Sequence, residues 1–235
     1  SADRVQWLAP VFQDYKPAFD GDSGPNTGGM GVFTPVPSVT QSLVDRVRKK
    51  ILDPATAAMA KEGAPFQGVL YLNVIVKHGT EEPFVLEFNA RFGDPEAQGI
   101  MPLVKRGLFA HLNGVAANSD RPPLPELSHS ASVVVVLASK GYPENPMTGD
   151  PITLRPVSNR NIVVFHAGTA RDSNGQLVTS GGRVLNVSAA APSVDSARKD
   201  AYSVIGNSIQ FPGMHYRSDI GSGRMRRRQL EPIKT

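Results

Sequence analysis

The sequence predicts an α+β chain, with helices and mostly antiparallel strands in separate stretches. Three observations carry this. Apolar residues recur at helical spacing after Thr40 (Leu43, Val44, Val47, Ile51 and Leu52). Two strand-like runs, Gly68–Val76 and Pro83–Ala90, flank a turn at His78, Gly79 and Thr80. After a Pro-rich polar stretch, short valine-rich runs separated by glycine turns make up the rest.

In order, Val5–Phe12 reads as the end of a strand. From Asp14 to Thr40 the density of Gly and Pro predicts one long loop, and loops of that length in compact domains are usually functional. Thr40 is the expected N-cap of a helix over 42–62, kinked near Pro54. Strands over Gly68–Val76 and Pro83–Ala90 follow, with Phe84, Leu86 and Phe88 expected to bury one face. A short helix over Pro102–Ala117 precedes a linker over Ala116–Glu126. Four strands are then predicted over Ala131–Ala138, Ile162–Phe165, Gln176–Thr179 and Arg183–Ala189, with an amphipathic helix over Val194–Ile209. The expected organisation is a first domain over 1–120 and a small β-rich domain over 121–235.

Composition excludes several classes. The chain has 235 residues, 40% hydrophobic and 20% charged, which is ordinary for a globular protein. It lacks cysteine, so disulfides, thiolate catalysis and cysteine-rich zinc sites are excluded. The longest apolar run, Val133–Ala138, is far shorter than the roughly 18 residues a membrane span needs. With no signal segment at its start, the chain is expected to be cytoplasmic. The net charge of +4 belongs to the last fifteen residues, which hold Arg224, Arg226, Arg227, Arg228 and Lys234 against Glu231. A charge cluster confined to a polar terminus reads as a solvated tail rather than a nucleic-acid reader.

Two stretches could carry chemistry. In Glu87-Phe88-Asn89-Ala90-Arg91, strand alternation puts Glu87, Asn89 and Arg91 on one face. A carboxylate and a carboxamide two residues apart offer hard oxygen ligands for a cation such as Mg²⁺, and the Arg can hold a phosphate or carboxylate. A solvated strand face with an internal Glu–Arg pair gives the same pattern. The second stretch is the glycine-rich segment Asp20–Gly31, whose backbone N–H groups can converge on an anion, with Lys16 in reach of a phosphate. It lacks the Gly-Lys-Ser/Thr of a P-loop, and a structural Ω-loop has the same composition. Asp20 and Asp22 could hold an amine or simply cap turns. His166, after an apolar strand, reads as a satisfied core or turn residue rather than a catalyst, and His78, His129 and His215 show no ligand spacing.

Together these stretches resemble one family. Gln13-Asp14-Tyr15-Lys16 with Asp20–Gly31, and Glu87–Glu96, resemble the two signatures of glycinamide ribonucleotide synthetases, also called phosphoribosylamine–glycine ligases. So do Lys140–Pro143, Thr148–Asp150, Phe165–Thr169 and Gly181–Leu185, in the family's order from about residue 5 to 221. The chain departs from the family at Tyr15, where His is usual, and at Pro17, where Arg is usual.

The resemblance implies the second lobe of an ATP-grasp fold over 1–120, followed by the ligase's β-rich carboxyl-terminal domain over 121–235. The amino-terminal half, with the first lobe and its glycine-rich flap, has no counterpart here. It also implies the reaction. ATP phosphorylates glycine, and 5-phosphoribosylamine attacks the glycyl phosphate, giving glycinamide ribonucleotide, ADP and phosphate in de novo purine biosynthesis. Carried over, Glu87 and Asn89 match the ligands of Mg²⁺ or Mn²⁺, and Arg91 matches the arginine at the reacting phosphate. Asp20 would face the glycine amine. Lys16, Asn26, Gly28 and Gly29 would bind the ATP co-substrate, and the loop would close over substrate. The chain alone is expected to be inactive without the missing half. The alternative is a non-catalytic binding module derived from an ATP-grasp lobe. Neither membrane nor nucleic acid is an expected partner.

Overall fold

The structure is a computed structural model that describes Gln6, Leu8 and residues 10–77 and 79–223. Parts of the strand expected over Val5–Phe12, His78 in the turn, and the arginines of the tail lie outside the described residues.

The glycine-rich stretch is not the single loop expected. It holds β1 (Gln13–Asp14), β2 (Pro17–Phe19), β3 (Ser23–Asn26) and β4 (Gly31–Thr34). β2 and β3 form a hairpin, and β1 pairs antiparallel with β4. Glycines at positive φ, among them Gly21 (67°) and Gly29 (115°), turn the chain between pieces too short to show a period of two. Next comes α1 (Gln41–Val47), whose N-cap is Thr40, accepting from Leu43 N–H at 3.1 Å. A π-helical turn over Arg48–Leu52 leads into α2 (Asp53–Lys61). Pro54 lacks an N–H and its ring crowds the preceding turn, so the widened turn stands where the kink was expected.

β5 (Tyr71–Val76) and β6 (Pro83–Asn89) make the predicted antiparallel hairpin. Phe84, Leu86 and Phe88 are not buried as expected: they are 52%, 59% and 44% exposed. Among the described residues, β5 and β6 pair only with each other, so no further described strand widens the ladder. After α3 (Glu96–Ile100) and a 3₁₀ turn (Met101–Leu103) come β7 (Val104–Arg106) and α4 (Leu108–Ala116). The helix expected from Pro102 therefore starts at Leu108, behind Gly107 at φ 86°. The expected linker ends in β8 (Glu126–Leu127), which pairs with β7.

The remaining elements are β9 (Ala131–Ala138), β10 (Thr153–Leu154), β11 (Ile162–His166), β12 (Thr169–Arg171), β13 (Leu177–Thr179), β14 (Arg183–Ala191), α5 (Val194–Ser203) and β15 (Ile209–Gln210). The four strands predicted here stand within two residues of their expected bounds. α5 stops at Ser203, because the chain turns at Gly206 (φ 81°) to bring Ile209 beside Ile205.

Two compact units result. Unit one comprises Val36–Gly93 and Leu103–Ser128 with the described residues up to Val11. Unit two comprises Phe12–Pro35, Asp94–Pro102 and the described residues from His129. Each unit thus gathers segments that are not contiguous in sequence. β1–β4 and α3 pack with the later strands because β4 forms a ladder with β9.

Unit two is built on an antiparallel five-stranded sheet in the order β1-β4-β9-β14-β11. All eight residues of β9 are buried, as a central strand between two helices requires. Val133 points toward Gly221 beside α5, whereas Val134 points toward Gly99 of α3, so the helices cover opposite faces. Unit one holds α1, α2, α4, the β5–β6 hairpin and the β7–β8 pair. Among the described residues, no helix is long and apolar enough to cross a membrane.

Candidate functional site

The expected site residues divide between the units. Glu87, Asn89 and Arg91 belong to unit one; Lys16, Asp20, Asn26, Gly28 and Gly29 belong to unit two.

In unit one, Glu87 and Asn89 stand two residues apart on β6 and share its face. Across the ladder they oppose Asn73 and Tyr71 of β5. Glu87 is exposed and Asn89 half-buried, leaving both side-chain oxygens open to a ligand. Arg91 does not continue the row as expected. The strand ends at Asn89, the chain bends, and the Arg91 guanidinium donates to Phe92 O at 2.8 Å. Among the described residues no three or more His, Asp or Glu side chains cluster as a metal site. The Glu87–Asn89 pair fits Mg²⁺ or Mn²⁺ held jointly with phosphates and water, the usual arrangement for Mg²⁺ at nucleotides.

In unit two, the glycine-rich segment has a fixed base. Arg217, with 0% exposure, donates to Asp219 (Nε–Oδ1 2.7 Å and Nη2–Oδ2 2.6 Å) and to Asp22 Oδ1 (2.9 Å). It also donates to Pro17 O (3.1 Å) and lies 4.7 Å from the centre of the Tyr15 ring. Burial alone would raise the Asp219 carboxyl, but hydrogen bonds from Arg217 and Gly21 outweigh it and hold it below the ordinary range. Asp20 accepts from the Ser218 N–H (2.8 Å) and from the Ser218 hydroxyl. Asp20 and Asp22 are therefore both engaged by the 217–219 segment.

The other end of the segment carries the remaining candidates. Lys16 Nζ lies 2.9 Å from Asp14 Oδ2, and burial of Asp14 raises its carboxyl despite that cation. Asn26 is exposed at the end of β3. The Gly28 N–H donates to the Tyr142 hydroxyl (3.0 Å), and the Gly29 N–H to Thr27 Oγ1 (3.0 Å). Gly29 sits at φ 115°, and a Cβ there would lie 2.8 Å from Pro95 Cδ, so only glycine fits.

Sequence reasoning missed Asp14, Asp94, Tyr142 and Arg183 as neighbours of this end. His166 is neither a core nor a turn residue: it ends β11, exposed and opposite Leu185, and shares a 3.0 Å hydrogen bond with Thr169.

The antiparallel α+β chain falls in the ATP-grasp fold class, as its likeness to solved structures shows. Over 80% of this chain the fold matches a biotin carboxylase–ATP complex from Campylobacter jejuni, with TM-score 0.55 and 12% identity, covering 40% of that chain. A phosphoribosylamine–glycine ligase from Thermotoga maritima matches with TM-score 0.75 and 37% identity over 90% of this chain and 51% of that one. The profile of the phosphoribosylglycinamide synthetase ATP-grasp (A) domain matches residues 2–97, and that of the C domain of the same synthetase matches residues 132–223. The phosphoribosylamine–glycine ligase of Phenylobacterium zucineum is 45% identical over 213 residues, 89% of this chain and 49% of that protein. That of Caulobacter vibrioides is 42% identical over 219 residues, with similar coverage. The chain belongs to the phosphoribosylglycinamide synthetase family, and it spans about half the length of the curated relatives it matches.

Proposed function

We propose that this chain is the carboxyl-terminal half of a phosphoribosylamine–glycine ligase. With the amino-terminal half it would couple ATP hydrolysis to joining glycine and 5-phosphoribosylamine, in the cytoplasm. Its two parts would be the second ATP-grasp lobe and the ligase's carboxyl-terminal domain. The observation that carries this reading is the open Glu87–Asn89 pair on β6, within a chain of this family.

Glu87 and Asn89 would hold Mg²⁺ or Mn²⁺, which neutralises charge on the triphosphate as the phosphoryl group moves. Arg91, exposed beyond the strand, would exchange its bond to Phe92 O for the transferring phosphate or the glycine carboxylate. Lys16 and Asn26 would contact phosphates, with Gly28 and Gly29 letting the backbone approach them. Asp20 would receive the glycine amine while keeping its bonds to Ser218, since a carboxylate has about four acceptor positions. Any closure over substrate would be confined to the exposed β3 tip, because Arg217 anchors the base.

The test is ADP release dependent on glycine and phosphoribosylamine. The chain alone should give none, and adding the amino-terminal half of a relative should restore it. In the restored enzyme Glu87→Gln should abolish the Mg²⁺-dependent rate while the β-sheet circular dichroism stays unchanged. Ligation by the chain alone, or an unchanged metal dependence in Glu87→Gln, would overturn the assignment.

A further inference from the structure

Three sequence stretches that the mechanism above does not use, Asp94–Gln98, Ser139–Tyr142 and Gly182–Arg183, converge on Gly28. β14 carries an irregularity in its ladder with β9 between Arg183 and Leu185, and such irregularities re-aim side chains. Here the Arg183 guanidinium reaches the glycine segment. Nη1 donates to Gly28 O (2.9 Å) and to Asp94 O (2.7 Å), and Nη2 donates to Asp94 Oδ2 (3.0 Å). The other Asp94 oxygen accepts from Gln98 Nε2 at 2.9 Å.

Tyr142 grips Gly28 from its other side, through the Thr27–Gly28 peptide group. Its hydroxyl accepts the Gly28 N–H, and its ring lies against Gly182, where a Cβ would collide with it. Gly182 is held in turn, its carbonyl accepting from Ser139 N–H at 2.8 Å. A Cβ at Gly28 would lie 3.1 Å from Arg183 Cζ, so the guanidinium fills the space a side chain would take. Gly28 thus has both its carbonyl and its amide fixed by side chains from 155 and 114 residues away.

We propose that Arg183 is a positioning residue, which with Tyr142 sets the Gly28–Gly29 peptide and the Asp94 carboxylate in one arrangement for substrate. Its role in ligation rests on the reading given under Proposed function; the clamp itself does not. A planar fork holding a carbonyl and a carboxylate at once is a task for Arg rather than Lys. Lysine offers one ammonium and would keep only part of the arrangement.

The test has two arms. In the 235-residue chain, amide hydrogen exchange is followed for wild type, Arg183→Lys, Arg183→Gln and Gly28→Ala. Arg183→Gln and Gly28→Ala should speed exchange at residues 28–30 at least about tenfold, with Arg183→Lys between them and wild type. Val133–Leu137 amides should stay protected. Unchanged exchange at 28–30, or an equal loss in β9, overturns the clamp.

The second arm uses the ligase reassembled from both halves. Arg183→Gln should raise KM for ATP about tenfold with kcat changed by less than about threefold, and Arg183→Lys should recover part of the loss. An unchanged KM overturns the positioning role. A reassembled wild type that does not ligate, with the exchange pattern as expected, would sink the ligase reading and leave the clamp standing.

Discussion

The two units solve the problem of burying apolar sequence in opposite ways. In unit two, β9 lies between β4 and β14 with α3 and α5 on its faces, and all eight of its residues are buried. In unit one, β5 and β6 form a two-stranded ladder whose Phe84, Leu86 and Phe88 stand in solvent. A two-stranded hairpin is marginal by itself, whereas a helix-covered five-stranded sheet is a self-sufficient core. Unit two therefore has the resources to hold functional groups rigidly, and unit one offers its metal-ligand pair from an open surface.

The sharpest way to break this comparison is at Arg217. Replacing it with Ala leaves Asp22 and Asp219 without their cation in a buried setting. Unit two should lose about 3–5 kcal/mol, read as an earlier urea transition of the β9 and β14 amides. Equal loss in β5–β6 amides would mean the units are not energetically distinct. Next comes a matched pair of truncations. Leu137→Ala, at a fully buried site, should cost about 2–5 kcal/mol, whereas Leu86→Ala should cost less than about 0.5 kcal/mol. Similar costs at both positions would show that the β6 face is covered in solution.

A smaller effect is expected with pH. Asp219 has a folded-state pKa below its ordinary 3.8, so its contribution is complete above that value. The contribution is lost as pH falls from 3.8 through the depressed folded value. Asp219→Asn should therefore flatten the acid limb of unit two's stability curve. Asp14 runs the other way: burial raises its carboxyl, so it opposes folding as pH rises through its titration, and Asp14→Asn should relieve that opposition. A modest effect is expected in unit one, where Thr40→Ala removes the cap on α1 at a cost of about 1 kcal/mol. An unchanged melting temperature there would mean that neither the cap nor the Thr40–Glu81 hydrogen bond contributes to stability.

What could be read from the sequence follows the same division. β9 and β14 were legible because strands buried on both faces leave long valine- and alanine-rich runs. The Glu87–Asn89 pair was legible because its spacing equals the strand period, but Arg91 was misplaced because the strand stops before it. β1 to β4 were hidden, since segments of two to four residues rich in Gly and Pro show no periodicity. The Arg183–Gly28–Asp94 arrangement had no local signature. Its members meet only through the tertiary fold, and each motif looked like an isolated turn.

The pairing of β4 with β9 also has a kinetic consequence. Gly31 finds its partner only at Val135, after the whole of Val36–Gly93 and Leu103–Ser128 has passed. A contact of such long sequence separation must wait for loop closure, so unit two should form late and slowly during synthesis. Until β14 arrives, Val133-Val134-Val135-Val136 keeps one edge of a high β-propensity run unpaired, the segment a nascent chain most needs to keep from its neighbours.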